Sequence, residues 1–205
     1  AAILLTTGLG CFELFSLIGM KNVYVRLFFV SLYSLSCWML YWAKVDVSLL
    51  IYFCSFVWFL LLPLVFYYPT SSGFFKSRTL NAILGSLLLA GAFFSLVEIR
   101  FQEAGVFWIL FLFVLTTSVD AGGYFVGRKF GKRPLALLVS PSKTIEGLLG
   151  GGGLAILLCC LVLIISKNQG ISGYLMILPL IVFSVLGDLL VSVLKRIYDV
   201  KDSGN

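Results

Sequence analysis

The sequence predicts an all-α, polytopic integral membrane protein with about seven transmembrane helices. Of its 205 residues, 60% are hydrophobic and 12% are charged, and no soluble core could bury so much apolar surface. The apolar residues fall into seven runs, most of them near the length of about 17 to 25 residues that crosses a bilayer as a helix. These runs cover residues 1–20, 27–43, 48–67, 80–97, 105–119, 145–166 and 174–191.

The basic residues predict how these helices are oriented. Taking alternate loops together places 12 Lys and Arg on one side of the membrane and 3 on the other. Because basic loops stay in the cytoplasm, we expect the segment 120–144 and the C-terminal tail to be cytoplasmic. The alternation also supports the short run 105–119 as a span. The net charge of +6 is therefore mostly a topology signal, and nucleic acid is not an expected partner.

Polar residues concentrate in the second half of the chain. We therefore divide the sequence into N-terminal transmembrane helices, residues 1–104, and a catalytic transmembrane region, residues 105–205, which contains the cytoplasmic loop 120–144. A charged side chain at the border of a membrane-spanning run costs free energy, so its presence usually indicates a functional site.

The first polar motif reads D-A-G-G-Y-F-V-G-R-K-F-G-K-R from Asp120. A carboxylate at the end of an apolar run is followed by glycines and by four bases, the first of which is Arg128. Glycines allow a polyphosphate to approach the backbone closely. The spacing of Gly123, Gly127 and Gly131 also suits packing of helices through small residues, and the two interpretations are compatible.

The second motif, S-P-S-K-T-I-E-G, begins at Ser140. Ser140 or Ser142 is predicted to cap the following helix, with Glu146 in its first turn. Capping does not explain Lys143, because a base at a helix start opposes the helix dipole unless an anion is also there. We therefore expect a phosphate site at this helix end, although no P-loop pattern is present. The glycine run 150–153 is interpreted as a close-packing or flexible site rather than a phosphate cradle.

The third motif begins with Gly187-Asp188 and has helical spacing. Lys195 and Arg196 suit phosphate groups, whereas Asp188 and Asp202 suit a hard cation. A membrane-anchoring helix end with snorkelling bases is the alternative interpretation. Four polar residues, spaced four, three and four apart, are predicted to share one helix face: Asp188, Ser192, Lys195 and Asp199.

The chain contains no histidine, the commonest general base and zinc ligand. A reaction whose nucleophile is already an anion does not need such a base. Phosphoryl or nucleotidyl transfer onto a phosphate fits this composition, because it requires mainly cations and alignment.

Together, the three motifs in this order resemble those of bacterial phosphatidate cytidylyltransferase, also called CDP-diacylglycerol synthase. The resemblance covers residues 116–205 and implies transfer of CMP from CTP to phosphatidic acid, giving CDP-diacylglycerol and pyrophosphate in phospholipid biosynthesis. The S-x-x-K-R-x-x-x-x-K-D-x-G element of the family is matched by Ser192, Lys195, Arg196, Lys201, Asp202 and Gly204.

The resemblance also implies roles for individual residues and for partners. Asp188 would hold Mg²⁺, and a second, monovalent cation such as K⁺ is expected nearby. The protein is expected to be a homodimer among the lipids of the bacterial inner membrane, with its active site facing the cytoplasm. The catalytic residues would be Lys195, Arg196, Lys201 and Asp202, and the substrate-binding residues would be Asp120, Arg128, Ser140, Lys143 and Ser192.

The sequence departs from the family pattern in three places. Ala121 stands where the family usually has Ser or Thr, and Ile145 where it often has Trp. The family signature continues with L-P-G-H-G-G-x-x-D-R-x-D, whereas this sequence ends at Asn205. We therefore expect a chain truncated inside the signature, with poor activity because acidic residues that help to hold the metals are missing.

Two other functions remain open from sequence. A CTP-dependent kinase acting on a lipid alcohol such as a polyprenol or phytol would use similar groups, but its acceptor would need a base. A transporter or lipid-binding membrane protein would explain the spans and intramembrane charge. It would leave the bases around Asp188 unexplained.

Overall fold

The structure is a computed structural model that describes residues 1–166 and 170–200, so the predicted site residues Lys201 and Asp202 lie outside the described residues. In this part of the chain the α-helices are α1 (Ala2–Leu17), α2 (Val23–Trp42), α3 (Ser48–Phe66), α4 (Arg78–Phe101), α5 (Gly105–Phe130), α6 (Ile145–Ile165) and α7 (Ile171–Ile197). A short 3₁₀ helix, Thr70–Lys76, precedes α4. An antiparallel hairpin of β1 (Pro134–Ala136) and β2 (Ser140–Thr144) joins α5 to α6.

The helices confirm an all-α, multi-pass membrane protein. Within the described residues, the six helices from α2 to α7 are long and apolar enough to cross a membrane. Helix α1 is also apolar, but it has 16 residues. At 1.5 Å per residue it extends about 24 Å, which is less than the roughly 30 Å of a hydrocarbon core. The described chain thus has six long spans and one shorter apolar helix, where the sequence suggested about seven spans.

Short polar side chains fix where several helices begin. Asn22 precedes α2 and its Oδ1 accepts a hydrogen bond from the backbone N–H of Tyr24 at 2.9 Å. Ser77 precedes α4 and its Oγ accepts from the N–H of Leu80 at 3.3 Å. Both side chains satisfy amides that have no partner within the helix.

Helix α5 is longer than the sequence suggested, and the predicted loop 120–144 is correspondingly wrong at its start. Residues 120–130 continue the helix, whose last turn is closed by the N–H of Gly131 bonding to the carbonyl of Gly127 at 2.9 Å. A charged side chain marks the end of an apolar run, but it does not interrupt the backbone hydrogen bonds of a helix. The connection to α6 therefore comprises residues 131–144 and contains the hairpin.

The chain forms two compact units. The first comprises Ala1–Gln102 with residues 193–200, and the second comprises Glu103–Ser192. The units divide after residue 102, and the end of α7 groups with the first unit. The buried core of the first unit consists of Cys11, Phe15, Ile18, Tyr33, Cys37, Phe93 and Phe94. That of the second unit consists of Phe111, Leu115, Val119, Ala155, Cys159, Leu163, Ile177 and Ile181.

Candidate functional site

Glycines bring α5 and α6 into backbone contact. A Cβ atom added to Gly122 would lie 2.9 Å from the Cα of Gly151, and one added to Gly150 would lie 2.5 Å from the Cβ of Val126. No real side chain fits at such distances, so only glycine permits this approach. The packing interpretation of the glycine run is confirmed at Gly150 and Gly151. Gly153 does not take part in this packing, because an added Cβ there would meet nothing within 4 Å.

The same contact continues toward the start of α6. A Cβ on Gly127 would lie 3.1 Å from the Oγ1 of Thr144 and 3.5 Å from the Cα of Gly147. A Cβ on Gly123 would lie 3.7 Å from the carbonyl oxygen of Gly147. The predicted helix packing through Gly123 and Gly127 is thus confirmed, and it places the D-A-G-G motif beside the S-P-S-K-T motif.

Glu146 ties the connecting segment to the first turn of α6, where the sequence placed it. Its carboxylate accepts hydrogen bonds from the backbone N–H groups of Lys132 at 3.0 Å and Arg133 at 3.1 Å. It also pairs with the Nε of Arg133 at 3.2 Å. The carbonyl of Arg133 in turn accepts from the N–H of Ile145 at 2.9 Å. The segment that carries the second motif is therefore held at both ends.

Thr144 caps α6, and the prediction that Ser140 or Ser142 does so is wrong. The Oγ1 of Thr144 accepts from the N–H of Gly147 at 3.1 Å. Both serines lie in β2, because the hairpin extends up to the residue before the helix. The amides of Ile145 and Gly147 are thus hydrogen-bonded within the protein, so they give no support to a phosphate site made by this helix end. Side chains are the better candidates to bind a ligand.

A cavity of about 570 Å³ opens within the second unit. It brings together four of the ten predicted site residues: Asp120, Arg128, Lys143 and Asp188. Ser140 is not part of the lining, whereas its neighbour Ser142 is. The other lining residues are Val119, Gly123, Tyr124, Gly127, Leu135, Thr144, Gly147, Leu148 and Val185.

Lys143 and Asp188 form an ion pair at this cavity. The Asp188 side chain is 53% exposed, whereas the Lys143 side chain is 27% exposed and its Nζ is buried. Asp120 interacts electrostatically with both of them. Two carboxylates and a primary amine therefore act on one another although they come from α5, β2 and α7.

Arg128 is oriented by Tyr124, a residue that was not among the predicted site residues. Its Nη1 donates a hydrogen bond to the hydroxyl oxygen of Tyr124 at 2.8 Å. Its guanidinium carbon lies 5.9 Å from the centre of the tyrosine ring. The two residues are four apart on α5, a spacing that places side chains on the same helix face. That spacing is the signal that could have identified Tyr124.

The remaining predicted residues lie elsewhere on α7 or beyond it. The Oγ of Ser192 donates to the carbonyl of Asp188 at 2.9 Å, one helical turn earlier. Lys195 and Arg196 lie in the last turn and belong to the first unit. Asp199 follows the helix with φ of 52°, so the prediction that it shares a helix face with Asp188 is wrong.

The donor chemistry of the cavity suits Mg²⁺. Among residues 1–166 and 170–200 there is no cluster of three or more His, Cys, Asp or Glu that could hold a metal. The cavity does offer the two carboxylates of Asp120 and Asp188. Proteins commonly hold Mg²⁺ through one or two carboxylates together with substrate phosphates, and this pair fits that pattern.

The comparison with known protein families agrees with the motifs. The model of the cytidylyltransferase family matches residues 1–205. This chain belongs to the cytidylyltransferase family. The match includes the helices of the first unit, where the sequence motifs gave little information.

Several bacterial phosphatidate cytidylyltransferases are similar in sequence. The protein of Bacillus subtilis (strain 168) is 40% identical over 125 residues, which are 60% of this chain and 46% of the relative. That of Haemophilus influenzae is 36% identical over 159 residues, covering 71% of this chain and 55% of the relative. That of Pseudomonas aeruginosa is 35% identical over 151 residues, covering 72% of this chain and 56% of the relative. The chain thus spans about half the length of the curated relatives it matches.

Proposed function

We propose that this family member transfers CMP from CTP to phosphatidic acid and forms CDP-diacylglycerol and pyrophosphate. The observation that carries the proposal is the cavity that gathers Asp120, Arg128, Lys143 and Asp188 from three sequence motifs. The names of the bacterial relatives supply the reaction. The uneven distribution of bases supports a cavity that opens to the cytoplasm from the inner membrane.

The reaction needs little acid–base chemistry from the protein. A phosphate oxygen of phosphatidic acid attacks the α-phosphorus of CTP, a new P–O bond forms, and the bond to the bridging oxygen breaks as pyrophosphate leaves. The nucleophile is an anion already, which agrees with a chain that has no histidine. Lys143 and Arg128 would neutralise the phosphate oxygens that crowd together in the transition state.

The carboxylates have a second role in this proposal. Asp188, with Asp120, would hold Mg²⁺, which when bound neutralises phosphate charge and stabilises the leaving pyrophosphate. Lys195 and Arg196 would bind phosphate, supported by Lys201 and Asp202 of the signature. A second cation such as K⁺ and a homodimeric assembly belong to the proposal through the family resemblance alone.

The position of a radioactive label in CTP tests the type of reaction. The full-length protein in detergent micelles with Mg²⁺ receives phosphatidic acid, phytol or a polyprenol, and CTP labelled at either the α- or the γ-phosphate. We expect the α-label to enter a lipid product that co-migrates with CDP-diacylglycerol, and only when phosphatidic acid is present. The γ-label should appear in pyrophosphate.

The same experiment identifies the competing functions. A γ-label that enters the lipid alcohol would show a CTP-dependent kinase and contradict the proposal. Phosphatidic acid that binds without any transfer of label would favour a lipid-binding or transport protein, and would also contradict it.

A further inference from the structure

A small hydrogen-bond network in the first unit joins Phe75 and Asn81 to Tyr198, which lies 117 residues after Asn81. The Nδ2 of Asn81 donates to the backbone carbonyl of Phe75 at 2.6 Å and to the hydroxyl oxygen of Tyr198 at 2.7 Å. The Tyr198 hydroxyl donates to the same carbonyl at 3.1 Å. The network therefore connects the segment before α4 to the residue that follows α7.

The surroundings make this network costly to disrupt. Asn81 is 4% exposed and Phe75 is 3% exposed, and the ring of Tyr198 packs against the apolar core of this unit. A buried amide without partners loses the hydrogen bonds that it makes with water in the unfolded chain. Asn81 thus favours a conformation in which Tyr198 is held close to it.

Tyr198 also lies within the turn that ends α7. The N–H of Val200 bonds to the carbonyl of Lys195 at 3.0 Å, and the N–H of Asp199 bonds to the carbonyl of Arg196 at 3.4 Å. With Asp199 in the left-handed conformation, these two bonds form a Schellman motif. The carbonyls that accept are those of the two bases that the family signature provides.

The backbone around Lys195 and Arg196 is consequently fixed from two directions. The Schellman motif closes the last helical turn, and the hydroxyl of Tyr198 attaches that turn to Asn81. A base must be held in place to bind phosphate with full effect, because an ordered site loses less entropy on binding.

We propose that Asn81 and Tyr198 are positioning residues that hold Lys195 and Arg196 in the arrangement that binds substrate phosphate. The phosphate-binding role of the two bases rests on the proposed function. Asn81 and Tyr198 act through them and do not themselves contact the reacting atoms.

Tyr198→Phe tests the proposal because it removes the hydroxyl and keeps the buried ring. The readout is the equilibrium affinity for pyrophosphate, measured by calorimetry in detergent, which requires no turnover. We expect about a threefold to tenfold weakening, the range that corresponds to one net hydrogen bond. Asn81→Ala should weaken pyrophosphate binding to a similar extent. The double variant Asn81→Ala, Tyr198→Phe should bind pyrophosphate only slightly more weakly than Asn81→Ala alone. Tyr174→Phe, in the first turn of α7 and in the second unit, is the matched control and should leave the affinity unchanged.

Tyr198→Phe is then introduced into a variant that already carries Lys195→Met and Arg196→Gln. The unfolding midpoint of every variant is recorded. If Tyr198 acts through the two bases, its loss should weaken pyrophosphate binding less than twofold there. Equal weakening in both backgrounds, or none in either, would overturn the proposal and leave a purely structural network. The label-transfer assay reports on the proposed function separately, because the binding measurements do not depend on CMP transfer.

Discussion

The two units of this protein pack their helices in different ways. In the first unit, large side chains such as Phe15, Phe93 and Phe94 fill the space between α1, α2 and α4. The close glycine contacts of this unit are with side chains, because Gly85 and Gly91 of α4 meet Leu14 and Cys54. In the second unit, α5 and α6 meet through glycines, with Gly122 and Gly151 in backbone contact. Bulky packing keeps helix backbones apart, whereas glycine packing brings them together.

Charged groups are also used differently in the two units. Asp46, in the connection between α2 and α3, accepts from the N–H of Ser48 at 2.9 Å and so helps to begin a helix. In the second unit, Asp120 and Asp188 line a cavity, and Asp188 pairs with Lys143. Asp46 thus completes local backbone structure, as Glu146 does in the second unit. Asp120 and Asp188 differ from both because they line the cavity.

Enlarging one glycine should break the close packing of the second unit. Gly151→Leu forces a side chain against the backbone of α5, which has no room to move away. We expect a loss of about 3 kcal/mol in the free energy of unfolding, at the upper end of the range for overpacking. Denaturant titration in detergent measures it. Gly153→Leu, on the same helix but with open space around it, is the control. Equal losses for both variants would show that glycine contact is not what holds α5 to α6.

Neutralising Asp188 in the second unit should lower activity far more than neutralising Asp46 in the first unit. Asp188→Asn removes the charge proposed to hold Mg²⁺, and we expect CMP transfer to fall about 100-fold or more, since a metal supplies several kcal/mol to such a transition state. The measurement is the rate of α-label transfer at saturating Mg²⁺.

Asp46→Asn is the control for that experiment, because asparagine keeps the oxygen that bonds to Ser48. It should change the transfer rate less than twofold. A comparable loss in both variants would mean that Asp188 has no special role in the cavity.

Most of the fold was predictable from sequence because long apolar runs have few alternatives to a membrane helix. The helix ends were less predictable. Hydropathy places the end of α5 near Asp120, but the helix continues to Phe130, since backbone bonding does not require an apolar side chain. The hairpin that contains Ser140 was also missed, because five strand residues with an internal proline carry no alternating pattern.

The candidate site was predictable in part. The charged residues Asp120, Arg128, Lys143 and Asp188 stand out against an apolar background, and the structure places all four at one cavity. Tyr124 and Thr144 did not stand out, because aromatic and hydroxyl residues are common near the ends of membrane helices. Nor did sequence reveal the Asn81 network, since its two partners lie at residues 75 and 198.

Removing the amine of Lys143 should weaken nucleotide binding without unfolding the second unit. Lys143→Met keeps a long apolar stem, and we expect an affinity for CTP about tenfold lower, as for one charge-assisted hydrogen bond. Equilibrium binding of labelled CTP gives the value. Lys132→Met removes an exposed base from the same connection outside the cavity lining, and should have less than a twofold effect. If the two variants weaken binding equally, the net charge of the connection is the cause.

Two helix caps offer the smallest and most closely matched comparison of the units. Asn22→Ala and Thr144→Ala each delete a side chain that accepts from the first turn of a helix, and each should lower the free energy of unfolding by about 1 kcal/mol. Thr144 also lines the cavity, so its loss should reduce the affinity for CTP about threefold, as one weak hydrogen bond would, whereas Asn22→Ala should leave that affinity unchanged. Thr144→Ser retains the hydroxyl, so its free energy of unfolding and its affinity for CTP should both match those of the unchanged protein. An equal loss of CTP affinity in the two alanine variants would indicate that binding follows global stability, and the functional distinction between the units would then be wrong.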